Sequence, residues 1–133
     1  MARLRETRDP AVLNHFAQHP DIASEIGGPL DLSDALRETA VFLVGDHGLF
    51  CFEWCAPETY EIHVLLTKDG RGTWGFEAIH EALSAMSDRA SHIWARVKAR
   101  HIVFYARKAG FREVGEMILY PGPERWRIYD WRR

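Results

Sequence analysis

The stretch from Tyr60 to Met86 constrains this chain most: a β-rich run empties into a glycine-bearing turn, and an amphipathic helix follows at once. Tyr60 to Thr67 alternates as a strand does, with Ile62, Val64 and Leu66 on one face and Glu61, His63 and Leu65 on the other. The turn is Asp69-Gly70-Arg71-Gly72-Thr73-Trp74-Gly75. Beyond it Ala78, Ile79, Ala82, Leu83 and Met86 recur at three- and four-residue steps, one buried helical stripe. The first amides of such a helix lack intrahelical partners, and the helix dipole adds partial positive charge there. A strand–turn–helix is therefore a ready anion site, and glycines remove the side chains that hold a phosphate away. Arg71 offers a charge-assisted bond to the same anion. Taken alone, the arrangement is also an ordinary helix start.

The rest of the chain reads as a mixed α/β pattern. Arg3 to Glu6 is a short first strand. Asp9-Pro10 opens a helix, with Asp as N-cap and Pro at the first helical position, and Pro20 limits it. Asp21 to Ile26 adds a second short helix before Gly27-Gly28-Pro29, and Asp31 to Glu38 stays ambiguous. Val41 to Val44 and Leu49 to Trp54 form a hairpin about Gly45-Asp46-His47-Gly48. After the central unit, Ser91 to Val97 is a strand and His101 to Ala109 a helix closed by Gly110. Phe111 to Leu119 and Trp126 to Trp131 are the last strands, joined through Tyr120-Pro121-Gly122-Pro123. The predicted order is β-α-α-β-β-β-α-β-α-β-β.

Length and composition narrow the function classes. At 133 residues one domain is expected, with a core large enough to need no staple. A formal charge of −2 argues against a strongly electrostatic nucleic-acid binder. The tail Glu124 to Arg133 interleaves arginines with aromatics, as single-strand binders do, but its alternation fits a last strand with exposed charges. Cys51 and Cys55, four apart in one strand, read as buried free thiols. No Cys or His spacing points to zinc, so no metal is expected. The first residues lack an apolar signal core and no run reaches membrane-spanning length, so a cytoplasmic protein is expected.

Two segments carry a family resemblance. Val64 to Gly75 resembles the fourth strand, pyrophosphate loop and third helix of the GNAT acetyltransferases, whose loop follows [Arg/Gln]-x-x-Gly-x-[Gly/Ala]. Phe104-Tyr105-Ala106-Arg107-Lys108-Ala109-Gly110-Phe111 resembles their fourth helix, and the element order matches over nearly the whole chain. The nearest flavour is that of short acetyltransferase-like proteins often encoded by bacteriophages. The match departs at Trp74, where the next motif glycine is expected, with Gly75 one place along. Ala99 replaces a common Asn, and Ala106 a common Tyr, with Tyr105 one place earlier.

The resemblance implies a central, mostly antiparallel twisted sheet with a splayed strand pair and flanking helices. It implies acetyl-CoA as co-substrate and direct attack by an amine of a small molecule or a protein. It places the coenzyme on Leu65, Leu66 and Thr67 through their backbones, and on Arg71, Gly72, Thr73, Trp74, Gly75 and Phe76. Direct transfer needs a base, an oxyanion donor and a proton for the leaving sulfur. Glu61 and His63 are the candidate bases and Tyr105 the candidate acid. Their plainer readings are a solvated strand residue, a half-buried histidine and a core aromatic. The rival function is a GNAT-fold binding or assembly module without catalysis. Exposed aromatics near the C-terminus raise a homodimer as an expectation.

Overall fold

A computed structural model describes residues 3–36, 39–98, 100–118 and 125–133. The chain alternates β1 (Arg5–Glu6), α1 (Pro10–Ala17), α2 (Pro20–Ile26), a 3-10 turn (Leu32–Ala35), β2 (Ala40–Gly45), β3 (Gly48–Ala56) and β4 (Thr59–Leu66). A second 3-10 turn (Lys68–Gly70) leads into α3 (Thr73–Met86), and β5 (His92–Val97), α4 (Arg100–Lys108), β6 (Arg112–Ile118) and β7 (Arg125–Arg132) complete it. The order is the one the sequence predicts. Pro20 does more than limit α1: it is the first residue of α2, whose N-cap is His19, with Nδ1 accepting the Asp21 N–H. The ambiguous stretch after Asp31 yields only the short 3-10 turn, capped by the Asp31 carboxylate on the Ser33 N–H. The expected turn Tyr120 to Pro123 and the substituted Ala99 lie outside the described residues.

All seven strands join one sheet in the order β1-β2-β3-β4-β5-β7-β6. Every pairing is antiparallel except β4 with β5, which are parallel because α3 crosses between them. Alternation along the strands splits the core in two. Ile62, Leu66, Phe50, Phe52, Ile93 and Val97 face α3 and α4. Leu49, Cys51, Phe42 and Val44 face Leu13, Phe16 and Ile22 of α1 and α2. The predicted stripe of α3 is buried at all five positions. Each large member, such as Leu83 or Met86, contributes about 1.5–3 kcal/mol by leaving water.

The α1–α2 layer covers only part of its face. Its buried cluster draws on β2 and β3, with Leu65 of β4 packed at its margin. Residues of β4, β5 and β7 further along that face meet one another instead, Glu61 with Arg96 and Asp130 with His92. The sheet thus has one face closed by helices and another half open.

Gly75 shows how tightly the third helix is seated. A Cβ there would lie 2.4 Å from the Gly70 carbonyl oxygen and 3.1 Å from the Tyr105 ring, whereas one at Gly72 would meet nothing within 4 Å. Replacing a helical glycine by alanine ordinarily gains up to about 1 kcal/mol. Here the overlap reverses the sign. Gly75→Ala is expected to destabilise by about 1–3 kcal/mol in denaturant unfolding, and Gly72→Ala to stay within about 0.5 kcal/mol of the parent. Equal stability of the two variants would contradict the seating described.

Candidate functional site

Strand β4 leaves its neighbour early. Its pairing with β5 runs only through Thr59–His92, Tyr60–Ile93 and Glu61–Trp94, although β4 continues to Leu66 and β5 to Val97. Past Glu61 the two strands diverge, and each keeps backbone groups that no longer face a partner strand. Such an internal edge is a template for a ligand that can hydrogen-bond as a strand does. On the helical face, the fork opens on an apolar slot with about 30 Å³ of free space at its core. Val64, Leu66, Ala95, Val97, Gly75 and Tyr105 are among its walls.

At the C-terminal end of β4 the chain makes the turn that the sequence singles out. Thr67 donates its N–H (2.9 Å) and its hydroxyl (3.2 Å) to the His47 carbonyl, and its own carbonyl accepts the Gly70 N–H. Gly72 is the N-cap of α3 and provides no side-chain cap. The first helical bond is Phe76 N–H to Gly72 O, so the amides of Thr73, Trp74 and Gly75 stand at the positive end of the helix.

Three residues of the loop make contacts within the chain itself. The Thr67 backbone is already engaged by His47 and Gly70. The Trp74 indole packs on the β2–β3 turn, edge-on to His47 at 5.3 Å and close enough that a Cβ on Gly45 would overlap it. It leaves only its amide at the helix start. The Arg71 guanidinium is turned onto α2, where Nη2 donates to Glu25 Oε2 (3.1 Å) and to the Asp21 carbonyl (3.2 Å), and also reaches the Leu66 carbonyl (3.3 Å). Phe76 is half-buried against Phe104 and Tyr105.

Tyr105 lines the slot although it stands one place before the position the resemblance suggests. Its ring abuts Gly75 and Phe76. Burial raises its phenol above the ordinary value, with the Arg71 charge opposing. It is protonated at neutral pH and able to donate. Ala106 lines the same slot without a polar group.

On the opposite, half-open face, β4 gathers its titratable groups. Glu61 is 5% exposed and takes a two-pronged bond from Arg96, Nε to Oε2 at 2.6 Å and Nη2 to Oε1 at 3.4 Å. His63 Nε2 lies 3.5 Å from Glu61 Oε1 and 3.7 Å from Glu53 Oε1. Burial pulls the Glu61 carboxyl upward, but His63 and Arg96 outweigh it and hold the group below the ordinary carboxylate value. Glu61 is therefore an ion-paired carboxylate that orients its neighbours and a weak proton acceptor. The sequence reading missed Glu53 and Arg96. The antiparallel register sets Glu53 directly across from Glu61, a match legible once the β3–β4 turn at Pro57 is placed.

Glu53, Glu61 and His63 bring three ligand-type atoms within 4.8 Å of one another. Arg96 already holds both Glu61 oxygens, so a cation entering there would displace a bound charge. Cys51 sits across from His63 in the register. Burial first, then the charges of Glu53 and Glu61, push its thiol up to about 12. A thiol so suppressed is a poor nucleophile; Cys55, which the sequence also reads as buried, is exposed at the end of β3.

No family model and no curated protein sequence matches the chain. Solved structures do. The GNAT-family acetyltransferase from Streptococcus pneumoniae superposes with a TM-score of 0.77 at 15% identity, over 98% of this chain and 99% of its own. The aminoglycoside acetyltransferase AAC(6')-Ib, solved with coenzyme A, gives 0.75 at 16% identity, covering 98% and 94%. A spermidine N-acetyltransferase from Vibrio cholerae gives 0.73 at 14%, covering 98% and 92%. The chain has the GNAT fold. At these identities the likeness establishes the fold, and the splayed β4–β5 pair is the part of the GNAT architecture that this chain keeps in full view.

The Glu61–Arg96 pair makes a pH-dependent prediction. A carboxyl whose folded value is depressed contributes stability that is complete above its unfolded value, about 4.3, and is lost as pH falls through the folded value. Glu61→Gln is expected to cost about 1–3 kcal/mol at pH 7. In unfolding measured across pH, the gap to the parent closes at acid pH, where the carboxyl is protonated. A gap that persists unchanged into acid would show that the charge is not the source.

Proposed function

We propose that the protein is an acetyl-CoA-dependent N-acetyltransferase acting by direct attack of an amine. The observation that carries this reading is the fork between β4 and β5, which opens on an apolar slot at one face and on His63 and Glu61 at the other. A thioester arm has apolar stretches and amide groups, and the slot offers apolar walls with unpaired strand backbone beside them. The backbones of Leu65 and Leu66 take the amides, and the amides of Thr73, Trp74 and Gly75 take the pyrophosphate. The solved relatives with coenzyme A or acetyl-CoA bound support the same use of the fold.

The chemistry then divides between the two faces. The acceptor amine approaches from the open face and loses its proton to His63, whose ring is oriented by the Glu61 carboxylate. The neutral amine adds to the thioester carbonyl, and the oxyanion that forms is met by backbone N–H groups at the fork. As the intermediate collapses, the carbon–sulfur bond breaks and the sulfur takes a proton from the Tyr105 hydroxyl, while the proton still carried by the attacking nitrogen leaves through solvent, which returns one to Tyr105. The products are an acetylated amine and free coenzyme A. One observation favours the rival reading as a binding module: Ala106 lines the slot where the resemblance expects a tyrosine.

Calorimetric titration with acetyl-CoA and with coenzyme A tests the reading first. Gly72→Glu sets a carboxylate at the helix start in open space, so stability is retained. Its coenzyme affinity is expected to fall at least about tenfold, ~1.4 kcal/mol. Unchanged affinity would mean that the phosphates bind elsewhere. With spermidine and an aminoglycoside as amine probes, His63→Ala is expected to lower kcat by about 10²-fold or more while coenzyme affinity holds. Tight coenzyme binding with no transfer to any amine would instead establish the binding module.

A further inference from the structure

We infer that Arg71 is a positioning residue, a strut that fastens α2 to the end of β4, and that its side chain is not a ligand of the coenzyme phosphates. The inference rests on the coenzyme reading only for its second clause.

The case starts from how little else holds α2. The helix has seven residues, and Ile22 is its one buried side chain among the described residues. A helix of under two turns is not stable by itself, so its position depends on tertiary contacts. Arg71 provides them at both ends, at the Asp21 carbonyl in the first turn and the Glu25 carboxylate in the last. The same nitrogen reaches Leu66 O, the last residue of β4. A second fastener runs in parallel, with Lys68 donating its backbone N–H to Asp21 Oδ2 at 2.9 Å. That bond, opposed by burial and aided by nearby positive charges, holds the Asp21 carboxyl below its ordinary value, so it remains an acceptor at neutral pH.

For Arg71 to reach a phosphate at the start of α3, it must give up three acceptors at 3.1 to 3.3 Å. Its Nε is closed to solvent as well. The side chain is only 24% exposed. All three contacts are made by Nη2, whose two hydrogens are shared among the acceptors. The consequence lies on the open face. Helix α2 packs against β4, on the side where Leu65 and His63 point, so the strut sets the wall beside the candidate base from within the loop that serves the opposite face.

Hydrogen–deuterium exchange of the α2 amides, paired with coenzyme A titration, tests both clauses. Arg71→Gln is expected to speed exchange across Ile22 to Ile26 by about fivefold or more, while coenzyme A affinity changes by less than about fivefold. Glu25→Gln is expected to reproduce the exchange effect in part, and Arg71→Lys to restore part of the protection; Glu25→Gln carries the test if Arg71→Gln does not fold. Unaltered α2 exchange overturns the strut. A loss of coenzyme affinity of about fivefold or more in Arg71→Gln overturns the second clause. If the parent protein itself binds no coenzyme A, the coenzyme reading falls, and the α2 exchange still decides the strut.

Discussion

The structure depends on where β4 and β5 stop pairing. Up to Glu61 and Trp94 they are ordinary parallel neighbours; beyond, β5 follows β7 and β4 follows β3. An interruption in the middle of a sheet costs unpaired backbone groups, so something must hold the fork at a fixed point. Arg96, two residues past the last pair on β5, reaches back to Glu61 on β4 with both prongs of its guanidinium. A bidentate bond of this kind has a defined direction as well as energy. It ties the strands at the branch and leaves them free to diverge above it.

The fork also explains why the chemistry falls on two faces. Alternation puts Ile62, Val64 and Leu66 toward α3 and α4, where the slot is apolar, and Glu61 and His63 toward the half-open side. A reactant lying in the fork touches both. The helix start at Thr73 supplies partial positive charge from the backbone, so anion binding there does not require the Arg71 side chain. That frees Arg71 to hold α2, and it frees Trp74 to close the β2–β3 turn against the same loop. Gly70 and Gly75 make the loop compact enough for both, since a side chain at either would strike a neighbouring carbonyl.

The element order was legible in the sequence because the period changes from two to three and a half where β4 meets α3, and because Pro, Gly and Asp mark the ends. The turn between β4 and α3 was legible for the same reason. What could not be read is long in range. Arg71 meets Asp21 and Glu25, 50 and 46 residues away, and its position in a loop motif suggested a phosphate instead. The fork is invisible to alternation, since His92 to Val97 reads alike whether paired on one side or two. The resemblance set Trp74 at the coenzyme loop, and nothing local shows that its ring packs on the hairpin where Gly45 leaves room. Glu61, one of the two candidate bases, is paired with Arg96, 35 residues on, a partner that local pattern does not show.

The central claim is that the fork and the start of α3 together receive the thioester coenzyme. Amide exchange mapped over the whole chain, with and without saturating coenzyme A, tests it most directly. The account predicts slowed exchange in two places at once, the upper half of β4 from Ile62 to Leu66 and the first turn of α3 from Thr73 to Phe76. Protection absent from both, or confined to the groove between α1 and the β2 end near Arg5 and Val44, would contradict it.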